Sequence, residues 1–363
     1  MSAAETPLLG LVPDELRALT AYTVPGGKAP VKLDANESPW PLPTEARERI
    51  GRALAEVEMH RYPDARASEL RTALATHLEC GEDELVIGCG SDEVIAILLA
   101  ALSQPREGRT RPTVLYPTPT FVMYRVSALA HGVEPVEVPL GPRWALDLDA
   151  MRSALDRTRP NIVFLASPNN PTGNAFDDEA IEAIVRVAPG ALVVIDEAYR
   201  AFAGRTLADW TKRFDNVAVL GTLSKIGLAA ARVGWVRVAP ALAREIDKAR
   251  QPFNLSALSQ RVATLALGEL AHVLREHVRE ISRERTRLGT ELARIPSLEV
   301  YPSAANFFLL RHDGDTPGLV ARLAESGILV RSFHAQGGVL AHHLRITVGT
   351  PPENDRLLAA LRR

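Results

Sequence analysis

Lysine is the scarce residue in this chain. Of 42 basic side chains only five are lysine (Lys28, Lys32, Lys212, Lys225 and Lys248), the rest being arginine, so a lysine in an unusual setting stands out. Cysteine is rarer still: Cys80 and Cys89 match no zinc spacing and make no disulfide framework in a chain of this length. Charge of either sign is not in excess. A net charge of −2 gives no global field that would draw the chain to nucleic acid or anionic lipid. No apolar run approaches the roughly 18 residues that span a bilayer. The first twenty residues have early acids and no apolar core flanked by basic residues, unlike a signal peptide. A cytoplasmic protein without membrane or nucleic-acid partners is expected. Neither internal repeats nor low-complexity segments are visible.

What is present is ordinary globular material: 363 residues, 46% hydrophobic and 24% charged. This excludes disorder and collagen-like chains, and it suggests about two domains. From about residue 85, short apolar runs alternate with helix-length segments. The runs are Leu85–Ile87, Thr113–Tyr116, Val133–Val138, Asn161–Ala166, Ala191–Ile195, Val217–Leu220 and Val233–Val238. Strands apolar on both faces with helices between them predict a mostly parallel sheet covered by helices, an α/β fold. The segment from Leu255 to about Ile295 reads as long helices with salt-bridged outer faces. Beyond Pro296, strands near 299–301, 306–310, 328–330 and 344–348 with two helices predict a smaller α+β unit. The expected division is an N-terminal arm (1–40), a large domain (41–254) and a small C-terminal domain (255–363).

Ligands of open α/β sheets sit beyond the carboxyl ends of the strands. Those ends carry Ser91-Asp92, the segment up to Phe121, Asn170, Asp196 with Tyr199, and Ser224-Lys225. Asp196 closes a buried strand, where a carboxylate costs desolvation unless it meets a cation. Lys225 is the lysine in an unusual place, with Arg232 seven residues on. An amine, a buried carboxylate, an Asn before Pro-Thr-Gly, and hydroxyls at a helix start suit pyridoxal phosphate. Gly88 to Glu93 lacks the third glycine of a dinucleotide loop, which disfavours a nicotinamide dehydrogenase. His342 and His343 point to opposite faces if extended, so no metal is expected there, and both are read as solvated loop histidines.

In order and spacing, these stretches resemble the fold-type-I pyridoxal-phosphate-dependent aminotransferases, and within them the histidinol-phosphate aminotransferases. The matching segments are Leu19–Tyr22, Leu33–Pro39, Arg61–Asp64, Gly90–Glu93, Pro119–Tyr124, Ser167–Gly173, Asp196–Tyr199, Thr222–Lys225 and Leu344–Gly349, spread through almost the whole chain. One departure is visible: six residues separate Lys225 from Arg232, where the family more often has seven, which reads as a shortened loop. The resemblance implies that Lys225 binds the cofactor covalently and then moves the proton. It implies that Asp196 holds the ring nitrogen protonated, that Tyr199 and Asn170 bond the phenolic oxygen, and that Phe121 stacks on the ring. Ser91, Asp92, Ser224 and Arg232 would hold the phosphate, and Tyr62 would reach the cofactor of a neighbouring subunit, so a homodimer is implied. Arg345 would take substrate anions, with Tyr22, Asn36 and Arg331 completing the substrate contacts. The implied reaction exchanges an amino group between histidinol phosphate and 2-oxoglutarate, giving imidazole-acetol phosphate and glutamate, in histidine biosynthesis. An aromatic amino-acid aminotransferase, and a decarboxylase or lyase on the same scaffold, are the alternatives. A transcription regulator carrying this fold behind a DNA-binding domain is disfavoured, because the first motif already reaches Tyr22.

Overall fold

The structure is a computed structural model that describes residues 7–20 and 29–362. Its strands are β1 (Val31–Leu33), β2 (Leu85–Gly88), β3 (Thr113–Thr118), β4 (Glu134–Pro139), β5 (Ile162–Ala166) and β6 (Leu192–Asp196). They continue with β7 (Val217–Thr222), β8 (Gly234–Arg237), β9 (Leu298–Val300), β10 (Phe307–His312), β11 (Ile328–Ser332) and β12 (His343–Thr347). Seven form one sheet in the order β2-β8-β7-β6-β5-β3-β4, in which β8 pairs antiparallel with both neighbours. The remaining pairs in this sheet are parallel.

The composition of the central strands explains this sheet. Every residue of β5, β6 and β7 is buried, and alternate side chains enter different cores. Phe164, Val194 and Leu220 join helices Gly90–Ala101, Met123–Ala130 and Pro240–Asp247 on one face. Leu165, Val193 and Val219 join helices Leu148–Thr158 and Asp178–Val187 on the other. A strand apolar on both faces is stable only between two layers, each buried aliphatic side chain contributing about 1.5–3 kcal/mol.

The second sheet has the order β1-β11-β12-β10-β9. It packs on the long helix Ala271–Leu292 and on helices Thr316–Glu325 and Pro351–Leu361. The long helix carries its charges as predicted, pairing Arg279 with Glu276 and Arg283 with Glu280 at i,i+3 spacing. The sequence reading does not anticipate β1, which adds parallel to β11 with Val31 and Leu33 buried and Lys32 outward. Three residues are too few for an alternating pattern to show. The histidine pair is corrected: His342 is exposed, but His343 is buried at the start of β12, because its ring is covered by Tyr301 and Trp144. Among the described residues no helix is long and apolar enough to cross a membrane.

Candidate active site

The parallel strands β5, β6 and β7 end on the same side of the sheet, so the residues after them converge. β6 delivers Asp196. The connection from β7 to β8, residues 223–233, delivers Ser224, Lys225 and Arg232, and the loop after β5 delivers Asn170. Helix Gly90–Ala101 starts beside β8, and its first turn holds Ser91 and Asp92. From the second sheet, Arg331 of β11 and Arg345 of β12 stand opposite one another in register. Twelve of the fourteen residues singled out by sequence line one cavity of about 520 Å3, well within the size of small-molecule sites.

The other two lie elsewhere. Tyr22 is outside the described residues. Tyr62 is 82% exposed, stacks on Phe253 at 4.6 Å and does not line this cavity.

Asp196 is a buried charge of the cavity. Its Oδ2 accepts from the Tyr124 hydroxyl at 2.6 Å and its Oδ1 from the Ala198 N–H at 3.0 Å. Burial pushes its pKa above the usual carboxylate range, and these two hydrogen bonds oppose the rise. Lys225 Nζ lies 5.7 Å from the centre of the Tyr199 ring. The Tyr199 oxygen accepts from Asn36 Nδ2 at 2.9 Å, which leaves its own proton for another acceptor. Asn36 is itself tied to the second sheet, since its N–H donates to Thr347 Oγ1 at 2.9 Å and its Oδ1 accepts from the same hydroxyl at 3.2 Å. It therefore reaches the cavity with its amide already engaged.

One end of the cavity is built for an anion. The start of the Gly90–Ala101 helix presents N–H groups, and Ser224 and Arg232 stand beside it. Arg232 adopts a left-handed backbone (φ 50°) that turns its side chain inward. Its contacts are long, 3.4 Å to Ser224 Oγ and 3.3 Å to Asp92 Oδ2, and both partners of the Arg232–Asp92 pair are 44% exposed. Such an ion pair is weak, so the guanidinium can exchange to a dianion. The shortened Lys225–Arg232 spacing thus still brings Arg232 to the helix start. At the other end, Arg345 donates through Nη1 to Asn170 Oδ1 and through Nη2 to the Asp34 carbonyl, each at 2.6 Å.

A pyridoxal phosphate fits this donor set: a phosphate cradle, a buried carboxylate for the pyridinium, a tyrosine hydroxyl and a nearby amine. The cradle also depends on missing side-chain atoms. A Cβ on Gly90 would fall 2.5 Å from Arg232 Nη2, and one on Gly234 would fall 2.4 Å from the Gly90 carbonyl carbon. Sequence reasoning missed Tyr124, although it sits one helical turn from Phe121 on a buried face, where a tyrosine hydroxyl needs a partner. Thr222 was missed as well; it lines the cavity and orders the lysine loop by accepting from the Ser224 N–H at 3.1 Å.

Comparison with known proteins agrees with this geometry. The sequence profile described as aminotransferase class I and II matches residues 28–361. The chain is 41% identical to the histidinol-phosphate aminotransferase of Chromobacterium violaceum, covering 97% of each protein. It is 42% identical to histidinol-phosphate aminotransferase 1 of Burkholderia lata, covering 96% of each. The crystal structure of histidinol-phosphate aminotransferase from Sinorhizobium meliloti in complex with pyridoxal-5'-phosphate superposes with a TM-score of 0.84. That match has 28% identity and covers 99% of this chain and 98% of the other.

Proposed function

The chain belongs to the class I and II aminotransferases, and within them to the histidinol-phosphate aminotransferases; from that premise we propose that it uses pyridoxal phosphate to exchange amino groups between histidinol phosphate and 2-oxoglutarate, forming imidazole-acetol phosphate and glutamate on the route to histidine. The observation that carries this reading is the meeting of Lys225, Asp196, Tyr199 and the Asn170–Arg345 pair in one cavity with a phosphate cradle at its far end.

The cofactor, when bound, supplies an electrophilic carbonyl and an electron sink for the substrate carbon. Everything else is done by side chains. The N–H groups of Ser91 and Asp92, with Ser224 Oγ and Arg232, would hold its phosphate. Asp196, its carboxylate steadied by Tyr124, would hold a proton on the ring nitrogen. Lys225 Nζ would be the point of attachment, and would take the proton from the substrate carbon and return it. Tyr199, its oxygen held by Asn36, would donate to the phenolic oxygen. Phe121 would cover the ring face. Arg345, forked between Asn170 and the Asp34 carbonyl, is oriented to receive a carboxylate or phosphate from either substrate, with Arg331 beside it.

A homodimer is part of the proposal. Tyr62 and Phe253 form a stacked, outward-facing aromatic pair, with Met59 also 74% exposed. Such a surface suits a second copy of the chain, into whose cavity Tyr62 would reach. A cytoplasmic site of action fits phosphorylated substrates that do not cross lipid unaided. The deciding experiment measures kcat/KM for histidinol phosphate and for phenylalanine with 2-oxoglutarate as acceptor. Histidinol phosphate is expected to be preferred; a preference for phenylalanine overturns the substrate assignment, and carbon dioxide release without amino transfer would replace it with a decarboxylase.

A further inference from the structure

Trp144 does not line the cavity, yet it grips both structures that do. It lies in the turn Pro142–Trp144, where Arg143 and Trp144 both take positive φ angles, 52° and 64°. Neither is glycine, so the backbone is strained at two consecutive residues. Strain of this kind persists only where surrounding contacts hold it.

Those contacts lead to the second sheet. The Trp144 indole packs edge-on against Tyr301 (5.6 Å) and His343 (5.7 Å). Tyr301 and His343 stack on one another at 5.7 Å, with the tyrosine oxygen 3.3 Å from His343 Nε2. On its other side, the Trp144 carbonyl accepts from Asn174 Nδ2 at 3.0 Å. Asn174 belongs to the loop after β5 and is linked within it, its Oδ1 accepting from Thr172 Oγ1 at 2.6 Å, which in turn accepts from Asn169 Nδ2 at 2.7 Å.

The two structures joined in this way carry the two halves of the anion clamp. Asn170 is in the loop that Asn174 tethers. Arg345 lies two residues after His343 on β12, so both side chains leave the same face of the strand. We propose that Trp144 is a positioning residue: by stapling β12 to the loop after β5, it sets the 2.6 Å Asn170–Arg345 contact and with it the affinity for the substrate anion. This rests on the reading of Arg345 as the substrate-anion site given above.

The test uses the holoenzyme and the half-reaction with glutamate, followed through the cofactor absorbance in single turnover at varied glutamate. Trp144→Ala is expected to raise the half-saturating glutamate concentration about tenfold, with the limiting rate within about threefold of wild type, the split expected when binding geometry is lost and proton transfer is not. Trp144→Phe, which keeps an aromatic edge against Tyr301 and His343, should restore most of the affinity. Asn174→Ala, which cuts only the tether to the Trp144 carbonyl, should shift half-saturation in the same direction by a smaller factor, and it serves if Trp144→Ala does not fold. An unchanged half-saturation in both variants, a fall confined to the limiting rate, or no rescue by phenylalanine overturns the proposal. A wild-type holoenzyme that does not react with glutamate instead overturns the functional reading on which it rests.

Discussion

The Tyr124 hydroxyl donates to Asp196 Oδ2 at 2.6 Å, and both residues are almost wholly removed from water, at 0% and 5% exposure. The tyrosine ring is held flat against Phe164 at 4.5 Å, so the hydroxyl has little freedom to point elsewhere. Burial raises the Asp196 pKa, and this hydrogen bond is the largest influence opposing it.

The consequence is a pH effect with a definite sign. In the proposed function Asp196 works as a carboxylate, so activity is lost as pH falls through its pKa, which burial raises and a protonated ring nitrogen beside it would lower. Tyr124→Phe removes the opposing bond, raises that pKa further, and moves the acid limb of the kcat profile to higher pH. A hydrogen bond to a charged group is worth about 1.5–3 kcal/mol, or about one to two pKa units, so kcat on the acid limb should fall roughly tenfold or more. An acid limb in the wild-type position would show that Tyr124 only fills space.

Among the described residues Lys225 is the lysine that lines the cavity, while Lys32, Lys212 and Lys248 are exposed on the surface. Borohydride treatment of the holoenzyme should therefore fix the cofactor on the peptide containing Lys225 and on no other, read by mass spectrometry. Lys225→Ala should give no adduct and lower turnover by roughly 10^3-fold or more, since both attachment and proton transfer are lost. An adduct that persists in Lys225→Ala moves the attachment site elsewhere.

Arg345 makes two 2.6 Å hydrogen bonds from its two terminal nitrogens and is buried. Truncating a buried, hydrogen-bonded charge that meets an anion costs about 2–5 kcal/mol, so Arg345→Ala should raise the glutamate KM at least about 30-fold. Arg345→Lys keeps the charge but not the fork and should recover only part of the loss. Equal KM values in wild type and Arg345→Ala would remove Arg345 from the substrate site.

What the sequence made legible follows from the range of the interactions involved. Uninterrupted apolar runs such as Leu192–Ile195 imply a strand covered on both faces, and a lone lysine or aspartate at the end of such a run has few structural roles. These features are local, and so the large sheet and the centre of the site could be read. Tyr124 could not, because its partner lies 72 residues away in sequence and a tyrosine in an apolar helix face looks like packing. His343 was misplaced for a similar reason: its burial is created by Trp144 and Tyr301, which arrive from distant segments. Asn36 reads as a polar residue available to substrate, whereas its amide is engaged by Tyr199, in the connection after β6, and by Thr347, the last residue of β12. Pairings of this range become visible only when the two sheets are assembled.

Gly234 tests whether the phosphate cradle depends on backbone approach. It opens β8 directly beneath the start of the Gly90–Ala101 helix, and a Cβ there would stand 2.4 Å from both the Gly90 carbonyl carbon and the Ser91 nitrogen. These are backbone atoms, so the collision cannot be relieved by a rotamer change; the helix start has to move away from Arg232 and Ser224. Overpacking of this kind costs about 1–3 kcal/mol, which should lower Tm by several degrees. If the displaced atoms are those that hold the phosphate, Gly234→Ala should also weaken cofactor retention by about tenfold or more, measured by cofactor absorbance after dialysis. Gly51→Ala has open space around its Cβ position and should lose no cofactor. A Gly234→Ala variant that is less stable but retains cofactor as wild type does would separate the strand packing from the cradle, and would show that the phosphate is held chiefly by Arg232 and Ser224.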